Sequence, residues 1–229
     1  MNAAVSPSRL PVVVQPPVTK IFPSQELVVL SDPSSESAES IRALRTRLQS
    51  DHVKSGRRGL AVCAPSVGVG CSVVAANLAI AMSQAGVNTL LLDANLRAPR
   101  VQGLFGIEEA GSGLAACLGG SLGLDDVVHH QVLPSLDILV AGQTTQPQEV
   151  LASPRFGEIL HACFRDYDMT IIDTSPANSS ADSLLVANAV GFAVIVARKN
   201  RTMVADVRTL AQQLRAERAR VLGTVLTSF

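Results

Sequence analysis

A nine-residue segment of the chain has the composition of a loop that binds phosphate groups. Residues 64–72 read Ala-Pro-Ser-Val-Gly-Val-Gly-Cys-Ser and lie between an apolar run and an alanine-rich helical pattern. In the pattern G-x-x-x-x-G-K-[ST], backbone N–H groups surround the phosphates, the lysine reaches the β and γ oxygens, and the hydroxyl binds Mg²⁺. Gly70 and Ser72 fit that pattern, but Cys71 occupies the lysine position and Pro65 that of the first glycine.

Without the lysine, this loop could still bind a nucleotide but would lack a group needed for catalysis. A neutral thiol cannot neutralise phosphate charge, so backbone N–H groups and the following helix N-terminus would hold a nucleotide without the catalytic cation. Arg97 and Arg100, on a later loop, could supply part of that charge, although solvent-exposed loop arginines fit the same sequence. We also consider a Cys71 thiolate, which would repel phosphate. The predicted cofactor-binding residues are Gly68, Val69, Gly70, Cys71, Ser72 and Arg97.

Two carboxylates end apolar runs that have the pattern of buried strands. Asp173 closes the run 169–173, and NTPases hold Mg²⁺ with such a residue, directly or through water. Asp93 closes the run 89–93, and we predict it as the catalytic residue that orients or deprotonates an attacking hydroxyl. Either carboxylate could instead cap the next helix. Asn95 offers an uncharged amide oxygen, which binds Mg²⁺ more weakly than a carboxylate. The predicted metal ligands are Ser72, Asn95 and Asp173.

Strands and helices must alternate along the chain to position these residues. Apolar runs predict strands at 60–64, 89–93, 136–141, 169–173, 192–197 and 221–226. Amphipathic stretches predict helices at 72–85, 148–164, 181–189 and 203–218, preceded by one that opens within 32–39. This order predicts an α/β fold, a doubly wound, mostly parallel sheet with right-handed crossovers and helices on both faces. Ligands bind at the carboxyl ends of such strands, so residues 66–72, 93–97 and 173–176 should meet in one crevice.

The length and the net charge of the chain limit the number of domains and the kinds of partner that we expect. A chain of 229 residues with 47% apolar content can build one α/β core. Residues 1–35 have five prolines before residue 24 and no helical periodicity, so we predict a disordered proline-rich arm there and one domain over 36–229. Because 19 acidic residues balance 19 basic ones, no overall field favours nucleic acid, and we expect no nucleic-acid partner.

Cysteine spacing and hydropathy point to a cytoplasmic protein. The four cysteines are far apart without a C-x-x-C spacing, which argues against a zinc site and a disulfide framework. No apolar stretch reaches the roughly 18 to 20 residues that cross a bilayer, and the N-terminus lacks the order of a signal peptide. His129 and His130 have no nearby ligand set, so we interpret them as surface residues beside a loop.

Several motifs in order resemble those of the bacterial tyrosine kinases (BY-kinases). Residues 90–100 read LLLDANLRAPR, with GLFG at 103–106, and are similar to the second Walker-type motif of that family, usually LLIDADLRxPR and then LFG. Residues 39–45 resemble the E-x-x-R-x-x-R oligomerisation motif, and 147–153 resemble PxELLAS. Asp-Thr-Ser-Pro at 173–176, with a later aspartate, is similar to the DTPP…DA motif, and the resemblance covers about residues 27–229.

That resemblance implies a setting and partners. The chain looks like the stand-alone cytoplasmic kinase-like proteins encoded with chain-length determinants of exopolysaccharide export, which have a MinD/ParA-type P-loop NTPase fold. It implies ATP or ADP with Mg²⁺ as cofactors, and a membrane-spanning activator that would keep the protein peripheral at the inner membrane. It also implies a head-to-tail ring of copies of this chain, in which Glu39, Arg42 and Arg45 would meet the nucleotide-site side of a neighbour.

The chain departs from the family pattern where catalysis depends on it. Cys71 replaces the lysine and Asn95 replaces the second aspartate. Tyr167 is the only tyrosine in the sequence, so we expect the tyrosine-rich tail of the family to be absent. We therefore favour a nucleotide-binding regulator of exopolysaccharide polymerisation and export with weak or absent phosphoryl transfer. The alternatives are an active protein-tyrosine kinase or ATPase in which an arginine replaces the lysine, a MinD/ParA-like positioning ATPase, and an adaptor that binds no nucleotide.

Overall fold

A single seven-stranded sheet forms the centre of the molecule. The computed structural model describes residues 21–108 and 112–228. The strands lie in the order β3-β4-β2-β5-β1-β6-β7, and every neighbouring pair is parallel except β3 with β4. Their bounds are β1 Gly59–Cys63, β2 Thr89–Asp93, β3 Val128–Leu133, β4 Leu136–Leu139, β5 Met169–Asp173, β6 Phe192–Arg198 and β7 Arg220–Thr227.

Helices cover both faces of this sheet. Their bounds are α1 Val28–Ser31, α2 Glu36–Asp51, α3 Cys71–Gln84, α4 Val101–Phe105, α5 Leu114–Leu118, α6 Pro147–Leu151, α7 Pro154–Asp166, α8 Asp182–Val190 and α9 Val204–Ala216. Alternate residues of a strand enter different apolar clusters: Leu60 and Val62 of β1 pack with α1 to α4, whereas Ala61 and Cys63 pack with α5 to α9. This alternation confirms the predicted doubly wound, mostly parallel sheet.

α3 lies against the sheet behind the phosphate-binding segment. It is buried nearly all round, from Val74 to Ser83, because its alanines leave room for close approach to the strands. Gly70 precedes it with a φ of 91°, a left-handed conformation that glycine adopts without steric cost. The small side chains therefore let α3 pack closely against the sheet behind the loop that connects it to β1.

The packed region begins before residue 36, so the predicted domain boundary needs correction. Leu27 and Val29 are fully buried, and the Asn77 side chain of α3 accepts a hydrogen bond from Val29 N and donates one to Glu26 O. A buried amide thus ties residues 26–29 to a helix some fifty residues later, and the prediction of disorder is wrong for this part of the arm. The rest of the predicted arm, residues 1–20, lies outside the described residues.

Other differences concern short elements. The predicted strands are present, and so are the predicted helices, except that 148–164 forms two helices, α6 and α7, because Pro154 begins a new helix. β3 was not predicted, and His129 and His130 lie in it instead of preceding a loop. β3 is the edge strand beside β4, and its polar sequence lacks the apolar run of a central strand. Within the described residues, no helix has both the length and the hydropathy needed to cross a bilayer.

Candidate nucleotide-binding site

The segment 64–72 connects β1 to α3 as a loop, and side chains from other elements donate hydrogen bonds to two of its carbonyl groups. Gly68 has a φ of 75°, and its carbonyl accepts a 3.1 Å hydrogen bond from Arg198 Nη1. The next carbonyl, of Val69, accepts a 2.8 Å hydrogen bond from Thr227 Oγ1. In the part of the chain that the structure describes, the backbone N–H groups of residues 68–72 donate to no protein acceptor. The loop therefore has the free N–H groups that phosphate binding requires.

The Cys71 side chain turns towards the sheet rather than the loop opening. Its thiol donates a 3.2 Å hydrogen bond to Val62 O, at the end of β1. Burial, and then the charge of Asp173, raise the pKa of this thiol well above its ordinary value. The thiolate that we considered from the sequence is therefore wrong, because desolvation and a nearby carboxylate outweigh the helix N-terminus. Cys71 supplies neither the charge nor the reach of a lysine.

Two buried carboxylates lie side by side at the carboxyl ends of β2 and β5. Asp93 and Asp173 are register partners, and both are fully buried. Burial, and then the charge of Asp93, raise the pKa of Asp173, and the nearby Ser72 hydroxyl and Cys71 thiol offset only part of this rise. Neither carboxylate oxygen of Asp173 has a hydrogen-bond partner among the described residues.

An unpartnered buried carboxylate beside the Ser72 hydroxyl fits a divalent cation. Leaving a buried carboxylate without partners is costly, and oxygen ligands from a carboxylate and a hydroxyl suit Mg²⁺. Ser72 and Asp173, two of the three predicted metal ligands, lie close together in this way. These two side chains would hold the ion, which would offset the negative charge of a bound nucleotide.

Asp93 and Asn95 position the loop after β2. Asp93 accepts hydrogen bonds from the backbone N–H groups of Asn95, Arg100 and Val101, at 3.0 to 3.1 Å. The Asn95 side-chain oxygen accepts from Ala98 N and from the Ser175 hydroxyl. Both side chains are therefore engaged in folding this loop. This arrangement favours a positioning role over the roles of catalytic base and metal ligand that we predicted from the sequence.

Arg97 and Arg100 also bind protein carboxylates. Arg97 makes a two-point ion pair with Asp182, the first residue of α8, at 2.7 and 3.3 Å. Arg100 Nη2 lies 3.1 Å from a carboxylate oxygen of Glu26. Arg97, which we predicted to bind the cofactor, is thus committed to Asp182. The ion pair fastens the loop after β2 to the start of α8.

Two arginines that the sequence analysis did not select lie beside the phosphate-binding loop. Arg198 ends β6 and donates to the loop, as described above, and Arg201 follows in the next turn. A β-carbon built on Gly68 would lie 3.5 Å from Arg201 Nη1. The available signal was the cationic run at 198–201 directly after an apolar strand, but the sequence alone does not show that β6 adjoins β1.

The predicted oligomerisation residues lie on α2. Glu39 and Arg42 form an ion pair of 3.1 Å, and Arg42 also donates to Pro33 O. The Nε atom of Arg45 is buried without a hydrogen-bond partner among the described residues. Within one copy, these contacts hold the start of α2 and leave one arginine donor unsatisfied.

The only tyrosine lies far from this site, near the amino ends of the strands. Tyr167 follows α7 and precedes β5, is 8% exposed, and donates a 2.7 Å hydrogen bond to Asp137. Burial, and then that hydrogen bond, raise the pKa of the phenol. His130 Nδ1 lies 2.8 Å from the same Asp137 oxygen. The phenol is therefore a poor acceptor for a phosphoryl group.

Comparison with known proteins places this geometry among P-loop NTPases. The sequence matches the ParA family, described as NUBPL iron-transfer P-loop NTPases, over residues 56–227. It is 28% identical over 203 residues to the tyrosine-protein kinase YwqD of Bacillus subtilis, covering 88% of this chain and 85% of YwqD. It is 32% identical over 205 residues to EpsB of Ralstonia solanacearum, covering 89% of this chain. The chain spans about a quarter (27%) of EpsB.

Solved structures agree with these matches. The VpsO kinase domain superposes with a TM-score of 0.77 at 30% identity, covering 85% of this chain and 96% of that domain. The cell division ATPase MinD of Pyrococcus furiosus superposes with a TM-score of 0.66 at 20% identity, covering 74% of this chain and 71% of that chain. The second likeness concerns the fold alone.

Proposed function

The chain belongs to the bacterial tyrosine kinase family within the ParA group of P-loop NTPases, and from this membership we propose that it binds ATP or ADP with Mg²⁺ as a regulator with weak or absent phosphoryl transfer. The observation that carries the proposal is the pairing of a loop with free backbone N–H groups and an unpartnered buried carboxylate, Asp173. The first can hold phosphates and the second a cation.

Weak transfer follows from what replaces the catalytic groups. Phosphoryl transfer needs positive charge at the transferred group, and a thiol bonded to Val62 O provides none. The carboxylate oxygens of Asp93, the predicted base, already accept hydrogen bonds from three backbone N–H groups. Tyr167 is buried and bonded, so no exposed tyrosine of this chain is available to receive a phosphoryl group. Binding and catalysis therefore have different requirements, and this chain meets those of binding.

We propose that the regulated process is polymerisation and export of an exopolysaccharide. Support comes from the motifs shared with kinase-like proteins that act with chain-length determinants, and from the family membership. The partner would be a membrane-spanning activator, which would bring this chain to the inner membrane. The nucleotide state would then control the assembly of copies on that partner.

An active kinase is the second candidate, because two arginines adjoin the loop. If Arg198 or Arg201 supplied the missing charge during transfer, labelled phosphate would move from ATP to a protein acceptor. An assay with and without the membrane partner separates the two candidates. Transfer at the rate typical of kinases, about 1 to 100 per second, would overturn the regulator proposal.

Calorimetric titration with ADP and ATP in the presence of Mg²⁺ tests nucleotide binding. We expect measurable binding that Cys71→Lys tightens by about 10- to 100-fold, because a charge-assisted contact contributes about 1.5 to 3 kcal/mol. Cys71→Ser is the matched control, since it is neutral and of similar size, and it should leave affinity nearly unchanged. If Cys71→Lys binds no more tightly than Cys71→Ser, the loop does not hold phosphates as proposed. Absence of binding in all three proteins would instead support the adaptor.

A further inference from the structure

The turn after β6 is a rigid platform for cationic side chains. Two hydrogen bonds hold the backbone of Arg198. Its N–H donates to Thr202 Oγ1 at 2.9 Å, and Thr202 N donates back to Arg198 O at 2.9 Å. Arg201 N also donates to Arg198 O, and Asn200 has a φ of 61°, in the left-handed region that asparagine tolerates. These hydrogen bonds fix the backbone of the turn, and so the direction in which the side chains of Arg198 and Arg201 leave it.

Both arginines of this turn approach the phosphate-binding loop, but they use their guanidinium groups differently. Arg198 donates to Gly68 O and so holds the loop backbone. Three atoms of the Arg201 guanidinium lie 3.5 to 3.8 Å from the position of a β-carbon on Gly68. Among the described residues, the guanidinium of Arg201 makes no hydrogen bond or ion pair with the protein, and only its backbone N–H donates, to Arg198 O. Its donors therefore face solvent beside the loop.

The other arginines near the site already have partners in the protein. Arg97 is bound to Asp182 and Arg100 to Glu26. Lys199, in the same turn, is exposed, and the remaining lysines are distant in sequence. Arg201 is therefore the arginine near the loop whose donors remain available to a ligand among the described residues.

We propose that Arg201 contacts the phosphates of a bound nucleoside diphosphate or triphosphate and takes over the electrostatic role of the missing P-loop lysine. This inference rests on the proposed nucleotide binding and names the residue that makes it possible. A guanidinium presents several N–H donors in a plane and pairs with phosphate at two points, so it suits a position beside the loop rather than within it. Arg198 is the positioning residue, since it holds Gly68 in place.

A phosphate contact and an adenine contact predict different dependences on phosphate number. If Arg201 binds phosphate, removing its charge weakens ATP and ADP binding but hardly affects AMP. If the guanidinium stacks on the base, all three nucleotides lose affinity equally. Restoring the lysine should also make Arg201 largely redundant, because both groups neutralise the same charge.

The experiment measures AMP, ADP and ATP affinities by calorimetry with Mg²⁺, using the full chain. We expect Arg201→Ala to weaken ATP and ADP binding by about tenfold or more and AMP binding by less than about twofold. Arg201→Lys should retain most of the affinity, since it keeps the charge. In the Cys71→Lys background, Arg201→Ala should lower the affinity for ATP by less than about threefold. The exposed Arg208 of α9 supplies the matched control, and Arg208→Ala should change nothing.

Each other outcome overturns the proposal. Equal loss of all three nucleotides in Arg201→Ala assigns the arginine to the base, and no loss shows that it does not contact the ligand. If the natural chain binds no nucleotide but Cys71→Lys does, nucleotides can use the loop but Arg201 does not replace the lysine. If neither protein binds, the proposed function itself fails. Thermal unfolding of each variant shows whether any loss of affinity reflects loss of folded protein.

Discussion

At the scale of single residues, the ion pair of Arg97 and Asp182 constrains the loop after β2. The Asp182 side chain is fully buried, whereas 38% of the Arg97 side chain is exposed. Removing the arginine would leave a carboxylate in the interior without its counter-charge, which costs more than losing an exposed pair. Arg97 therefore acts on the site through the fold of the loop after β2.

We expect Arg97→Ala to lower the free energy of unfolding by about 1 to 3 kcal/mol while changing ATP affinity less than about threefold. Denaturant unfolding and calorimetry measure the two quantities. Arg100→Ala is the matched control, because its ion pair with Glu26 is exposed and should contribute only about 0 to 1 kcal/mol. A stable Arg97→Ala protein with greatly reduced ATP affinity would return Arg97 to the phosphate-binding role predicted from the sequence.

Among the elements, α2 is joined to the sheet through a buried histidine at its end. His52 Nε2 lies 3.0 Å from Gly59 O of β1, and its ring contacts Phe192 of β6 edge to face at 4.8 Å. The other ring nitrogen, Nδ1, is buried without a hydrogen-bond partner among the described residues. Burial lowers the pKa of His52, and the charge of Arg57 lowers it further, although the bond to Gly59 opposes both.

The lowered pKa makes the stability of this junction depend on pH. In the unfolded chain His52 takes up a proton near pH 6.5, whereas in the folded protein it stays neutral to lower pH. The unfolded state therefore binds more protons, and His52 reduces stability as pH falls below about 6.5, by at most about 1.4 kcal/mol per pH unit.

We expect His52→Gln, which keeps a donor for Gly59 O and does not titrate, to lose less stability than the natural chain between pH 7 and pH 5. Urea unfolding at several pH values measures the difference between the two proteins. Parallel stability curves over that range would show that His52 is not the titrating group.

The elements also show what sequence could and could not predict. β1, β2 and β5 were predictable because every residue in them is buried, which gives each a mostly apolar sequence, followed by an aspartate in β2 and β5. β3 was not predictable, because its conformation depends on another strand. Gln131 has a φ of 51°, and its backbone N–H donates to the side chain of Asp137 in β4. Arg201 was missed for the same reason, since its position depends on the pairing of β1 with β6. Motif spacing predicts the residues of one loop, but contacts between distant segments decide which cations face it.

For the whole molecule, the resemblance to the E-x-x-R-x-x-R motif predicts that copies assemble through α2. Arg42 and Arg45 are partly buried within one copy, and Arg42 is held by Glu39 and Pro33 O. Exposed ion pairs contribute little alone, so these charges would matter most at a desolvated contact with a neighbour.

We expect Arg42→Glu with Arg45→Glu to abolish oligomers of the protein on its membrane partner, as measured by light scattering. Arg47→Glu, which reverses an exposed charge on the same helix, is the matched control and should assemble normally. Circular dichroism would check that α2 still folds once the bond to Pro33 is lost. An unchanged mass distribution in the folded double variant would contradict the ring.

β5 fills the gap between β1 and β2, although it follows both in the chain. During synthesis, residues 59–93 leave the ribosome well before residues 169–173, so two strands emerge before the neighbour they share. The loop after β1 then still lacks Asp173, and the bonds from Arg198 and Thr227 that hold its carbonyls come later still. A site that begins at residue 64 is thus completed only at residue 227. If the chain binds nucleotide as proposed, the first bound nucleotide would mark a chain whose sheet has closed.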